Sequence, residues 1–405
     1  MQINQIFWPS FQGVNNIELG LDSVLAFARQ VGHPERYLKN VIHVAGTNGK
    51  GSTIAFLEAM LRSLGFSVNV YTSPHLVDFN ERIKLNGKYI SDQNLELILK
   101  RCQQIEQEKG LSATFFEGTT IAAFLAFMQF PADFNLIETG LGGRLDATNI
   151  FPNKLLSVIT PIDIDHQEFL GDDILGIAEE KAAIMNNSEG VVISKQQASV
   201  REFLVEYADK HNKTLIDANE ITEGLEVDDL PLVGDHQIDN FKTAFTALTS
   251  LVGIDKAKRA FTNYHNYFWW PARLQEIRLK TVLSQLKPDS KVLLDGGHNI
   301  AAAKNVAKYL QKVHKDYKKI YLICNQTNDR DIKAFINEFK EVDLEFCSFY
   351  FEHQKPFYKS EELKVIFGNE FKGEFQNFND VWKLDEGNSL FLVAGSLFLA
   401  GEFLR

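Results

Sequence analysis

A short, mostly apolar run, Val41–Ala45, leads straight into Gly46-Thr47-Asn48-Gly49-Lys50-Gly51-Ser52. Apolar residues at helical spacing follow (Ile54, Leu57, Leu61, Leu64) and stop at Gly65. A buried strand, a glycine turn and a helix in that order leave few folds open. The turn itself has a chemistry. Glycines let the backbone bend sharply and aim N–H groups at phosphate oxygens, and the start of the following helix adds partial positive charge. Lys50 would lie against the β- and γ-phosphates, and the Ser52 hydroxyl can ligate Mg²⁺. The spacing departs from G-x-x-x-x-G-K-[ST], because Gly51 stands between the lysine and the serine. The plain alternative is a glycine-rich turn with a chance lysine.

The alternation continues. Ser67–Tyr71, Phe134–Glu138 and Leu155–Thr160 read as strands, and Thr119–Met128 and Asp172–Met185 as helices. A second series begins near residue 290, with strands Lys291–Asp295, Ile320–Cys324 and Ser389–Ala394 and helices Ile300–Val313 and Ile332–Phe339. Strand–helix alternation predicts a mostly parallel sheet covered on both faces. The fold class expected is therefore α/β. A P-loop-type ATPase domain, mostly parallel, would span residues 1–278. The polar stretch 279–290, with Pro288, would be a linker, and residues 291–405 a smaller Rossmann-like α/β domain. Residues 351–388, rich in Phe and charge, take no assignment from pattern alone.

A chain of 405 residues with 45% hydrophobic content suits two or three cored domains. Its 53 acidic against 42 basic residues, without a dense basic block, make it a poor nucleic-acid binder. Three scattered cysteines (Cys102, Cys324, Cys347) show neither CxxC spacing nor a disulfide framework, which fits a reducing compartment. Met1–Asn15 lacks the features of a signal peptide, and no apolar stretch is long enough to span a bilayer. A cytoplasmic protein is expected.

Three further stretches bear on the chemistry. Glu138 ends an apolar strand ahead of Gly140-Leu141-Gly142-Gly143-Arg144-Leu145-Asp146-Ala147-Thr148-Asn149. A carboxylate at the carboxyl end of a parallel strand sits where ligands bind and could hold a metal; it could equally be a salt-bridged strand end. Asp163-Ile164-Asp165-His166 follows another strand, and a neutral His166 could ligate metal or be a satisfied structural residue. Lys181, in Glu179-Glu180-Lys181, reads by itself as part of a solvated charged face. Asp295-Gly296-Gly297-His298-Asn299 repeats the strand–turn–helix logic, with a carboxylate suited to ribose hydroxyls and a histidine suited to phosphate or base.

These stretches, with Thr72-Ser73-Pro74-His75, Phe116-Glu117, Gly234-Asp235-His236-Gln237, Pro271-Ala272-Arg273-Leu274 and Gly395-Ser396, run in an order that resembles folylpolyglutamate synthase. The resemblance extends to its bifunctional dihydrofolate synthase form, within the Mur ligase superfamily, from about residue 20 to the C-terminus. It implies an ATP-dependent ligase. ATP would phosphorylate a folate or dihydropteroate carboxylate, and the α-amine of L-glutamate would attack the acyl phosphate. It implies catalytic roles for Lys50, His166 and Lys181. Gly46, Thr47, Asn48, Gly49, Lys50, Gly51 and Ser52 would form the ATP loop, with His236, Asn240, Arg273, Asp295 and His298 as further nucleotide contacts. Ser52 and Glu138 would hold a first Mg²⁺. His166 would hold a second, with Lys181 if that lysine is carbamylated. Ser73, Asp146 and Ala147 would border the folate or pteroate. A monomer is implied.

The chain departs from the family pattern in places. Ala272 replaces a glycine, Ile300 a proline and Phe241 a small residue, and an unusual Asn325-Gln326-Thr327-Asn328 precedes Asp329-Arg330-Asp331. Rival readings are a muramyl-type amino-acid ligase, a P-loop switch ATPase and an inactive scaffold. The first would need a uridine-nucleotide domain ahead of Gly46, where only 45 residues stand. The second needs a partner-coupled switch or an arginine finger. The third sits poorly with intact Lys50, Glu138, His166 and Lys181.

Overall fold

The computed structural model describes residues 20–405 except 226, 228, 354 and 355. The reading of Met1–Asn15 therefore lies outside the described residues. The chain forms two compact units. Ile238–Trp269 groups with the chain that precedes residue 229, and Asp229–Gln237 groups with Trp270–Arg405.

The first unit is built on eight strands: β1 (Val41–Ala45), β2 (Val68–Tyr71), β3 (Ile83–Leu85), β4 (Lys88–Tyr89), β5 (Phe134–Glu138), β6 (Lys154–Ile159), β7 (Ser188–Ile193) and β8 (Thr214–Asp217). Their order is β4-β3-β2-β5-β1-β6-β7-β8. The pairs β2–β3 and β3–β4 are antiparallel and all others parallel. Every residue of β1 and β5 is buried, as expected of central strands covered on both faces. The helix Lys50–Ser63 after β1 buries Gly51 through Leu61, so it is packed nearly all round rather than on one stripe. The apolar helix Phe115–Gln129 is set by a capping box: Glu117 N–H donates to Thr114 Oγ1 (3.3 Å), and Thr114 N–H donates to Glu117 Oε2 (2.7 Å). Its phenylalanines join Val24, Phe27, Tyr71 and Phe151 in one core.

The second unit holds β9 (Gln275–Glu276), β10 (Lys291–Leu294), β11 (Lys319–Cys324), β12 (Glu345–Phe349), β13 (Phe371–Phe375) and β14 (Ser389–Ala394), in the order β13-β12-β11-β14-β10-β9. Only β9 runs antiparallel to its neighbour. The sheet thus begins ahead of the expected boundary at 278. β9 pairs with β10, and Ile277 N–H donates to the Val292 carbonyl (2.9 Å). The stretch expected as linker contains a short helix, Lys280–Leu283. Residues 351–388 contribute β13 and the helix Ser360–Phe367. Among the described residues, no helix is long and apolar enough to cross a membrane. The three cysteines are free and buried.

Candidate functional site

The turn after β1 is shaped by contacts that only glycine allows. Gly46 has φ +151°, and a Cβ there would fall 1.9 Å from Thr160 Oγ1 and 2.9 Å from the Thr160 carbonyl oxygen. Gly49 has φ +83°, and its Cβ would fall 2.2 Å from Asn240 Oδ1, so Asn240 rests directly on the turn. The N–H groups of Thr47 and Asn48 donate to the Pro161 carbonyl (2.9 and 3.2 Å). Thr47 Oγ1 donates to the Asp163 carbonyl (2.8 Å). The loops after β1 and β6 are therefore one structure.

Two lysines converge on it. Lys50 Nζ donates to the carbonyls of Gly46 (3.0 Å) and Thr47 (3.3 Å). Lys181 Nζ donates to the same Gly46 carbonyl (3.2 Å). The helix Ile174–Ala182 turns Lys181 inward, leaving it 5% exposed, so the solvated face its neighbours suggested is not where it lies. Burial, and next the charge of Lys50, push its amine down to about 7. A pocket lined by Gly46, Thr47, Lys50, Thr139–Gly142, Asp165, His166, Leu170 and Lys181 results. Asp165, given no role from sequence, belongs to it; its signal was a second acid beside His166 at a strand end. His166 itself is exposed, on left-handed backbone at φ +53°.

Glu138 ends β5 beside Val44 of β1, and the next residue ties the strands together, Thr139 N–H donating to the Val44 carbonyl (3.0 Å). The Glu138 carboxylate is 6% exposed and accepts from the Ser73 backbone N–H (3.1 Å). Ser52 is buried in the first turn of its helix. Asp146 shapes the glycine segment. One oxygen accepts from the N–H groups of Gly140 (2.9 Å) and Leu141 (2.8 Å), and the other from Thr148 N–H (3.0 Å) and the Thr148 hydroxyl. Ala147 is buried beside it. Neither presents an exposed side chain, so any contact with a pterin comes through the loop they hold.

Gly143 has a definite job. A Cβ there would lie 2.5 Å from the Glu180 carbonyl oxygen and 3.0 Å from Lys181 Cα, and that carbonyl accepts from Arg144 N–H (2.8 Å). Gly143→Ala is expected to push the glycine segment off the helix carrying Lys181. It should lower stability by about 1–3 kcal/mol, read as a reduced melting temperature together with lost turnover.

In the second unit Asp295 holds a separate cluster. Its carboxylate accepts from Leu274 N–H (2.9 Å) and Gly297 N–H (2.7 Å). The charges of Asp295 and Arg273 both act on His236, whose pKa is lowered chiefly by burial. Arg273 Nη1 donates to the Ala272 carbonyl (2.7 Å), and its guanidinium lies 5.8 Å from the Trp270 ring centroid. Ala272 and Leu274, both buried, have φ of +55° and +47°, so the alanine stands on backbone that glycine adopts more readily. His298 follows on the turn, its Nδ1 3.4 Å from the Gly296 carbonyl. Phe241, another departure, is absorbed by ring packing against Phe56 (5.4 Å) and Tyr264 (5.6 Å).

No family model matches the chain. It is 30% identical over 424 residues to dihydrofolate synthetase of Saccharomyces cerevisiae, covering 96% of this chain and 98% of that one. The chain belongs to the folylpolyglutamate synthase/dihydrofolate synthase family. Solved structures agree. E. coli FolC in complex with DHPP and ADP superposes with a TM-score of 0.81 at 25% identity, over 96% of this chain and 93% of that one. A bifunctional folylpolyglutamate synthase/dihydrofolate synthase with Mn, AMPPNP and L-glutamate bound superposes at 0.79 and 25%, over 96% and 94%. The two-unit α/β fold is that of these ligases.

Proposed function

We propose that this chain is an ATP-dependent ligase that joins L-glutamate to folates, and to dihydropteroate as well. The observation that carries the reading is the convergence of Lys50 and the buried Lys181 on the Gly46 carbonyl, in a pocket walled by the Gly140–Gly142 segment. The Lys50 ammonium over a glycine turn at the head of a helix suits a polyphosphate, and Lys181 brings a second, less basic amine to the same carbonyl. A substrate carboxylate oxygen attacks the γ-phosphorus, an O–P bond forms and ADP leaves. The glutamate amine then attacks the acyl carbon, phosphate departs, and the amine nitrogen gives up its proton. Lys50 neutralises charge on the phosphoryl group as it moves.

The residues fit magnesium. Among the described residues, no three His, Cys, Asp or Glu side chains gather into a protein-only cage. Ser52 and Glu138 instead offer buried oxygen donors that would hold Mg²⁺ alongside phosphate oxygens. We assign Ser52 and Glu138 to a first ion. His166 and a carbamylated Lys181 are assigned to a second, since a lysine with pKa near 7 holds enough neutral amine to add to CO₂. The bound metal would supply Lewis-acid stabilisation of the phosphoryl oxygens. Asn240, His236, Arg273, Asp295 and His298 are the nucleotide contacts, and Ser73 with the loop held by Asp146 and Ala147 borders the pterin. The enzyme works as a cytoplasmic monomer, with the unit built on β1–β8 as ATP-binding domain and the unit from Trp270 onward, which takes in the stretch 279–290, as glutamate-ligase domain.

The test is phosphate release with ATP, Mg²⁺ and glutamate, supplied with tetrahydrofolate or with dihydropteroate, and mass analysis of the products. The expected result is turnover that needs both the pterin substrate and glutamate, with one or more glutamates added. Glutamate-independent hydrolysis would favour a switch ATPase and overturn the reading.

A further inference from the structure

Asn325 and Gln326 follow β11 and are among the most deeply buried polar residues of the second unit, 0% and 1% exposed. They reach in opposite directions along the carboxyl ends of four neighbouring strands, β12-β11-β14-β10. Asn325 Nδ2 donates towards β12 and beyond, to Ser348 Oγ (3.2 Å), the Phe349 carbonyl (3.3 Å) and the Tyr358 carbonyl (3.2 Å). Asn325 Oδ1 accepts from Gln326 N–H (2.8 Å), fixing the backbone of the next residue. Gln326 Nε2 then reaches across the end of β14 to β10, donating to the Gly395 carbonyl (3.1 Å) and the His298 carbonyl (3.0 Å). Between these two turns Gly395 N–H donates to the Gly297 carbonyl (3.1 Å).

Both partners of the Gln326 amide are carbonyls, so its NH₂ must face them, and the orientation is fixed by chemistry. Its Oε1 is left buried with no hydrogen-bond partner. A buried unpaired acceptor costs about 1–3 kcal/mol. Methionine would fill the same space without it, so space-filling does not account for glutamine here; the two carbonyl bonds do.

We propose that Gln326 is a positioning residue that clamps the turn carrying Asp295 and His298 against the Gly395-Ser396 turn. The inference deepens the proposed function and rests on it for its kinetic consequence. Two turns from different strands must hold fixed spacing if the groups on them are to meet one substrate, and errors of about 1 Å in such spacing cost rate steeply.

The test uses Gln326→Met and Gln326→Glu in the full chain. For Gln326→Met, backbone amides of 295–299 and 395–397 should exchange about tenfold faster while the rest of the second unit keeps its protection. At saturating substrates kcat should fall roughly tenfold, and the melting temperature should fall modestly, because two carbonyls lose a donor while one unpaired acceptor is removed. In Gln326→Glu an ionised side chain cannot donate to either carbonyl and a protonated one can donate to one. Its kcat should therefore decline with rising pH relative to wild type. Unchanged exchange in the two turns overturns the clamp, as does a lower melting temperature with kcat intact. If Gln326→Met fails to fold, the pH profile of Gln326→Glu decides: a profile parallel to wild type overturns it. A wild-type enzyme that needs neither folate nor glutamate sinks the proposed function instead, and the exchange result still decides the clamp.

Discussion

Lys50→Ala is expected to reduce folate- and glutamate-dependent phosphate release by roughly a thousandfold, with the melting temperature close to that of wild type. The two halves of that expectation have different physical sources. The fold should survive because Lys50 does not shape the turn. Gly46 and Gly49 do so through positive φ, and Thr47 and Asn48 anchor it to the Pro161 carbonyl. Removing the half-buried ammonium leaves two carbonyls, those of Gly46 and Thr47, short of a donor, and Lys181 still serves the first. Activity should collapse because a transferring phosphoryl group spreads negative charge that water cannot reach to screen. Rates within a few-fold of wild type in a well-folded variant would remove the glycine turn from the mechanism.

The second large effect concerns Lys181. Lys181→Ala should lose roughly a hundredfold or more in kcat, and Lys181→Glu should recover a measurable part of it. Alanine deletes a donor to the Gly46 carbonyl and opens space in the pocket. Glutamate restores a carboxylate near Lys50, which is what a carbamylated lysine would present. Full activity in Lys181→Ala would return this residue to a structural role. The unmodified lysine also has a signature in stability. Its folded pKa, about 7, lies below the unfolded value of 10.5. Its contribution is therefore fully present above pH 10.5 and is lost as pH falls towards 7, because the unfolded chain takes up the proton first. Lys181→Ala, compared with wild type across that window in bicarbonate-free buffer, should abolish that slope.

The pattern in the chain exposed some of this and hid the rest. β1 and β5 stood out as short, mostly apolar runs, each interrupted by one interior polar residue, His43 and Asn135. The helix expected at Thr119 starts at Phe115, and the capping residues Thr114 and Glu117 mark that start in plain view. The β3–β4 hairpin was missed although Asn86-Gly87 has the composition of a two-residue turn, and both residues take positive φ. β9 could not be read, since two polar residues carry no periodicity and exist as a strand only through pairing with β10. In the site, the turn from Gly46 to Ser52 was legible from local chemistry. Lys181 was not, because Glu179 and Glu180 beside it describe a solvated face, and only tertiary packing turns the third residue inward. Asn325 and Gln326 stood out only as a departure from the family pattern; what they bond is decided by strands far away in sequence.

Arg273 sits between two side-chain-bearing residues on backbone that L-amino acids avoid, at a penalty of about 1–2 kcal/mol each. Such a segment has almost no neighbouring conformation to relax into while Asp295 grips Leu274 N–H and Ala272 accepts from Gly296 N–H (2.9 Å). On the proposed reading of Arg273 as a nucleotide contact, its guanidinium is consequently carried on backbone already fixed before a nucleotide arrives. Association then forfeits little backbone freedom at this point, and the entropy of ordering the loop has been settled during folding instead.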